Sequence, residues 1–222
     1  MNKFYSLLEK YDPIDEGIGQ TMAKVGLGLG LAFNPIETGN QTRGPIPKNT
    51  QEQPSQTVKV PKVSLHQFIK YMSRFIESNE ARRNKVYKDH LGNPTVGVGF
   101  NLNRSGAADT LSKVGLDYNR VLKGQILKNH QIDLLLKQDV ADATKSAMRF
   151  VNNYESLPNP AKIVLTDMSF NLGASKLNKF KKFKAALERE DFKTAAKEMI
   201  ASDWYGQVGD RSKMLVRIMK QL

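Results

Sequence analysis

Apolar residues fall into helical register several times along the chain, and the breaks in that register divide it into three parts. Phe4, Leu7, Leu8 and Tyr11 share one face of a helix over residues 2–11, which Pro13 ends. A second apolar piece runs from Val25 to Phe33, with Gly26, Gly28 and Gly30 between leucines. From residue 34 to residue 62 no period is left. Pro35, Pro45, Pro47, Pro54 and Pro61 stand there among Gln, Thr, Asn, Ser and Gly, a composition that buries no core and favours an extended, semi-rigid chain. The expected layout is an N-terminal amphipathic and apolar segment over 1–33, a proline-rich linker over 34–62, and a folded domain over 63–222. The first segment reads either as a dock for a partner or membrane surface, or as a helix packed on the chain's own globular part.

At Ser64 the pattern changes. Ser64 suits a helix N-cap, and Leu65, Phe68, Ile69, Met72, Phe75 and Ile76 follow at helical spacing. One more step of that stripe reaches residues 79 and 80, so Glu80 stands where a core residue is expected. A carboxylate there is partly desolvated, the setting that suits a proton-carrying acid. The opposing reading is that the helix has ended and Glu80 is solvated. Val86–Lys88 and Thr95–Phe100 read as strands around the turn sequence HLGNP. Helices are expected at 108–114 and 118–125, then a long one from His130 to Val151 that suits a spine between two lobes. Another starts near Pro160, with Gly173 placed as its C-terminal cap. Further helices are expected at 180–189, 191–202 and 209–220. Residues 202–207, which hold Trp204, read as a connection with a core anchor.

Composition narrows the picture. The chain has 222 residues, is 40% hydrophobic, contains no cysteine and carries a net charge of +12. The charge belongs to the folded part: residues 1–62 hold 7 Lys/Arg against 6 Asp/Glu, whereas residues 175–222 hold 12 against 6. Such a surface attracts nucleic acid, anionic lipid or a wall rich in phosphate and carboxylate, and charge alone does not choose among them. No recognition motif accompanies it, so nucleic acid is not an expected partner. His66, His90 and His130 are scattered without ligand spacing, so neither metal nor cofactor is expected. The run Val25–Phe33 is short of the roughly 20 residues of a membrane span and follows acidic rather than basic residues, unlike a signal peptide.

Glycoside hydrolysis needs a carboxylic acid to protonate the leaving oxygen, and usually a second carboxylate. Glu80, then eight residues, Asp89, then five residues, Thr95 supplies two carboxyl groups and a hydroxyl around a hairpin. This Glu-x8-Asp-x5-Thr pattern resembles that of the phage-type lysozymes. The likeness continues through Tyr87-Lys88, Pro94 to Gly99, Gln138-Asp139-Val140, Tyr154 to Leu157, Met168, Phe170, Gly173, Phe180, Ala195-Ala196, Ser202, Trp204-Tyr205, Gln207, Arg211 and Lys213. It covers about residues 64–222.

The resemblance implies an α+β, mostly helical, two-lobed fold: a lobe with a small three-stranded sheet, a long connecting helix and a helical lobe. It implies a muramidase that cleaves the β-1,4 bond between N-acetylmuramic acid and N-acetylglucosamine, with inversion. Glu80 is then the general acid, and Asp89 with Thr95 supports the attacking water. Inversion places the two carboxyl groups roughly 6.5–9.5 Å apart. Arg211 is implied as the support of Glu80, favouring Glu80 over Glu77 as the acid. Phe170, Asn101, Phe183 and Glu198 are implied along the substrate cleft. Phe100 stands where the T-even members of the family carry histidine, and Asn101 where they carry leucine, which marks this end of the hairpin for altered specificity.

The implied partner is bacterial peptidoglycan, met by a monomeric catalytic domain of a phage virion or in an infected host cell. Residues 1–62 are expected to tether it to a virion or bring it to a membrane. Two rival readings remain at this stage, a lytic transglycosylase and a non-catalytic wall-binding protein of lysozyme fold.

Overall fold

The computed structural model describes residues 64–89 and 91–222. The expectations for residues 1–62, the domain's first residue Val63 and His90 lie outside the described residues.

Helix α1 (Leu65–Glu77) begins where its sequence signals say. Ser64 Oγ accepts from Gln67 N at 3.2 Å, and Gln67 Oε1 accepts from Ser64 N at 3.0 Å, a reciprocal capping box. Phe68, Tyr71, Met72, Phe75 and Ile76 form its buried face. A three-stranded antiparallel sheet follows: β1 (Arg82–Lys88), β2 (Pro94–Val98) and β3 (Phe100–Asn101), in that order. The expected second strand is in fact two, because the chain reverses around Gly97–Gly99 and pairs Thr95 with Asn101. Gly97 has φ +68°, and a Cβ there would lie 3.5 Å from Ile132 Cγ2. That distance is ordinary van der Waals contact, so it is the positive φ of the reversal that favours glycine here.

Two short helices, α2 (Ala107–Lys113) and α3 (Tyr118–Leu122), lead into α4 (Asn129–Phe150). With 22 residues α4 is about 33 Å long. It packs on the sheet, on α1 and on α5 (Asn159–Leu177), and so spans both lobes. The remaining helices are α6 (Lys181–Glu188), α7 (Phe192–Ile200), α8 (Asp203–Val208) and α9 (Asp210–Lys220). Helix α9 lies against α5 and α7, and α5 also meets α1. That arrangement joins the first and last described helices across one shared neighbour. A single apolar cluster runs from Val96, Val98 and Phe100 of the sheet through α4 to Met199, Leu215 and Met219.

Gly173 ends a helical stretch as expected: at φ +71°, ψ 159° it is non-helical, and a second stretch runs on from this kink to Leu177. One expectation is corrected. Residues 203–208 form a helix rather than a connection. Trp204 is a core anchor within it, 3% exposed, with Nε1 donating to Asn171 Oδ1 at 3.0 Å. Among the described residues no helix is long and apolar enough to cross a membrane.

Candidate active site

Glu80 reaches its place because α1 stops three residues earlier. Ser78 Oγ and Asn79 Nδ2 each donate to Phe75 O at 2.7 Å, satisfying a terminal carbonyl of the helix. Beyond the turn, Arg82 joins Glu77 to Asp133 and donates to Asn129 O at 2.9 Å. The four residues between are thus anchored at both ends, by the helix stop and by the arginine. Glu77 is committed to this clasp. The expectation that Glu80 continues the apolar face of α1 is therefore corrected. Glu80 is off the helix, its side chain is 29% exposed, and Arg211 Nη1 donates to its Oε1.

Asp89 closes β1. Its carboxylate is gripped by the turn that follows: Oδ1 accepts from Leu91 N at 2.9 Å and from Asn93 N at 2.8 Å. Asn93 Nδ2 adds contacts to both oxygens, at 3.4 and 3.2 Å. An aspartate followed by a tight turn makes such bonds locally, which is why the residue type suits the position. Thr95 is 2% exposed, sits opposite Tyr87 in the β1–β2 ladder, and donates from Oγ1 to Asn93 O at 3.1 Å.

Tyr87 links the two acids. Burial pushes its phenol up, and the negative charges of Glu80 and then Asp89 push it further, against a smaller pull from Arg83. One side chain thus senses both carboxylates. The register of β1 shifts between Arg83 and Tyr87, a bulge that re-aims the end of the strand carrying Tyr87 and Asp89.

Arg211, in the first turn of α9, is 9% exposed. It is held from behind by Asp167 of α5, which is fully buried. Arg211 Nε donates to Asp167 Oδ1 and Oδ2 at 3.0 and 3.1 Å, and Nη2 donates to Oδ2 at 2.8 Å. Sequence reasoning missed Asp167. The available signal was an acid inside the apolar run Ile163-Val164-Leu165-Thr166-Asp167-Met168.

Of the remaining implied residues, Phe170 lines one hollow and Phe183 and Glu198 another, while Asn101 lines neither. The first is small, about 170 Å³, and is lined by Phe170, Gly99, Arg104 and Asp139. Arg104 pairs with Asp139 and lies 3.9 Å above the Phe100 ring. Burial pushes Asp139 up to about 6, against the pull of Arg104. Phe100 itself is 1% exposed and belongs to the core, so the surface at this end of the hairpin is made by Arg104 instead. Asn101 is half-buried, and its Oδ1 accepts from Asn103 N at 2.7 Å. The larger hollow, about 720 Å³, is bordered by Glu198, Trp204, Lys176 and Lys179. Phe183 is only its floor: 1% exposed, it stacks on Phe150 at 6.1 Å between ring centres.

A probable T4-type lysozyme 1 of Dictyostelium discoideum is 25% identical over 65% of this chain and 91% of its own length. A probable T4-type lysozyme 2 from the same organism is 26% identical over 71% of this chain and 94% of its own. The pre-baseplate central spike protein Gp5 of Enterobacteria phage T4 is 24% identical over 67% of this chain, which spans only 27% of that protein. The family model described as phage lysozyme matches residues 77–220, and the chain belongs to that family.

Proposed function

We propose that this chain is a muramidase that hydrolyses the β-1,4 bond between N-acetylmuramic acid and N-acetylglucosamine, with inversion. The family and its T4-type lysozyme members support the coarser part of this, a lysozyme-type peptidoglycan hydrolase. The observation that carries the finer part is that Glu80 is held by an arginine while Asp89 is held by the amides of a backbone turn.

In this reading Glu80 gives its proton to the glycosidic oxygen as the bond to the anomeric carbon breaks. A water attacks that carbon from the opposite face and passes its proton to Asp89, as inversion requires. The amides of Leu91 and Asn93 keep the Asp89 carboxylate oriented as an acceptor. Thr95 spends its hydroxyl proton on Asn93 O, which leaves its oxygen the role of an acceptor toward the attacking water. Phe170 and Asn101 would border the glycan on one side, and Glu198, above Phe183, the part of the substrate over the helical lobe.

Digestion of purified peptidoglycan tests the reaction. Mass spectrometry is expected to find reducing muramic ends, and proton NMR of the first product to find the α-anomer. Anhydro-muramic ends would instead assign a lytic transglycosylase, and binding without cleavage a wall-binding protein.

The proposal extends to delivery. Residues 1–33 form a docking segment and residues 34–62 a linker that attach domain 63–222 to a phage particle that opens the wall. Support comes from the apolar and proline-rich sequence, and from the spike protein Gp5, in which the matching stretch is a minor part. A chain starting at Val63 is expected to keep wall-clearing activity and lose association with purified particles. Loss of activity on truncation would place residues 1–62 within the enzyme's own fold.

A further inference from the structure

Arg211 serves two carboxylates at once. Its Nε and Nη2 are taken by Asp167, which leaves Nη1 for Glu80. Asp167 is 0% exposed, so a negative charge there is costly unless matched. An asparagine would keep one of the two acceptor oxygens that Arg211 uses, and would turn an NH2 group toward it in place of the other. The carboxylate also brings a charge, which has a second reason beyond this geometry.

The reason lies in what Glu80 must do. An arginine with one carboxylate partner depresses that partner's affinity for protons by about one to three pH units. A general acid needs the opposite, since it must still hold its proton when substrate arrives. Resting on the reading of Glu80 as that acid, we propose that Asp167 is a positioning residue that fixes Arg211 and shares its charge, so that Glu80 can be oriented without being stripped of its proton. The coupling is mutual. Burial pushes the Asp167 carboxyl up, Arg211 pulls it down, and the Glu80 charge pushes it up again. Charged or titratable groups that interact with Glu80 include Arg211 from α9, Asp167 from α5 and Tyr87 from β1, with Asp89 and Arg83 acting on Tyr87. Of these, Asp167 is the anion tied to the same arginine.

The test is the pH dependence of kcat/KM for Asp167→Asn in the full chain, on purified peptidoglycan from pH 4 to 9. The asparagine gives the arginine's charge to Glu80 alone and removes a repelling anion, and both changes act in one direction. The alkaline limb, where the acid loses its proton, is expected to move down by about one pH unit. Activity on the acidic side of that limb is expected to fall as well, because Arg211 loses one of its anchors, so the position of the limb is the readout. A residue that only held the fold together would lower the whole profile and leave the limb in place, and that result overturns the proposal. Glu80→Gln separates the two readings. If that variant is active, the assignment of the acid fails; if it is inactive while the limb of Asp167→Asn stays put, this inference alone fails. Should Asp167→Asn not fold, carboxyl-carbon NMR of the wild-type chain decides. The resonances of Glu80 and Asp167 are expected each to report both titration steps, as interacting sites do. Two independent single-step curves would refute the coupling.

Discussion

Replacing Glu80 with glutamine is expected to lower turnover of peptidoglycan by roughly 10²- to 10⁴-fold, the contribution of a positioned general acid. Glutamine keeps the length of the side chain and an oxygen for Arg211 Nη1, but has no proton to give to a leaving oxygen. Stability should change by no more than about 1 kcal/mol, the scale of a partly exposed ion pair. Glu80 is 29% exposed, and Arg211 retains its contacts with Asp167. The two effects must therefore separate. Clearance of a peptidoglycan suspension reads the first, and a thermal melt the second. A folded Glu80→Gln protein that clears at the wild-type rate would remove Glu80 from the mechanism.

Arg211→Met acts on stability as much as on catalysis. Methionine fills much of the same space, but Asp167 is then a buried carboxylate with its partner removed. Breaking a buried pair in this way costs about 3–5 kcal/mol. The pH dependence has a definite sign. Burial raises Asp167, and with Arg211 present that rise is partly offset. Without the arginine the folded-state value climbs further above the unfolded one. A carboxyl raised in this way is tolerated below its unfolded value near 4, and stability is lost as pH increases toward the folded value. The deficit of Arg211→Met should therefore be small in acid and large at neutral pH. Denaturant unfolding at pH 4.5 and 7.5 measures it. Adding Asp167→Asn to Arg211→Met should recover part of the loss at pH 7.5. A deficit equal at both pH values would place the arginine's contribution elsewhere.

Much of this site could be read in the sequence because its acids and hydroxyl lie close together in the chain. The spacing from Glu80 to Thr95 survives whatever the tertiary packing does, and a turn after Asp89 is signalled by Gly92-Asn93-Pro94. The helix stripe of α1 and its Ser64 cap were legible for the same reason. What periodicity got wrong was the end of that helix. Ser78 and Asn79 bond back to Phe75 O and stop it, a local competition that a count of apolar positions does not register. The reversal between β2 and β3 rests on Gly97 and Gly99 at positive φ, and α8 is only six residues long, too short for a period. The charge pairs were the least accessible. Asp167 with Arg211 and Arg104 with Asp139 join residues 44 and 35 apart, and no local pattern says which cation meets which anion.

The bond between Arg211 and Glu80 joins residues 131 apart in sequence. Because α9 is synthesised last among the described helices, Glu80 leaves the ribosome long before the arginine that holds it exists. Domains fold as units and long-range contacts close late. The nascent chain therefore carries Glu80, the turn-bound Asp89 and the sheet before the Arg211–Glu80 bond can form. That bond waits for α9 to dock on α5, so a chain stopped short of α9 has the two carboxylates without the arginine that holds one of them.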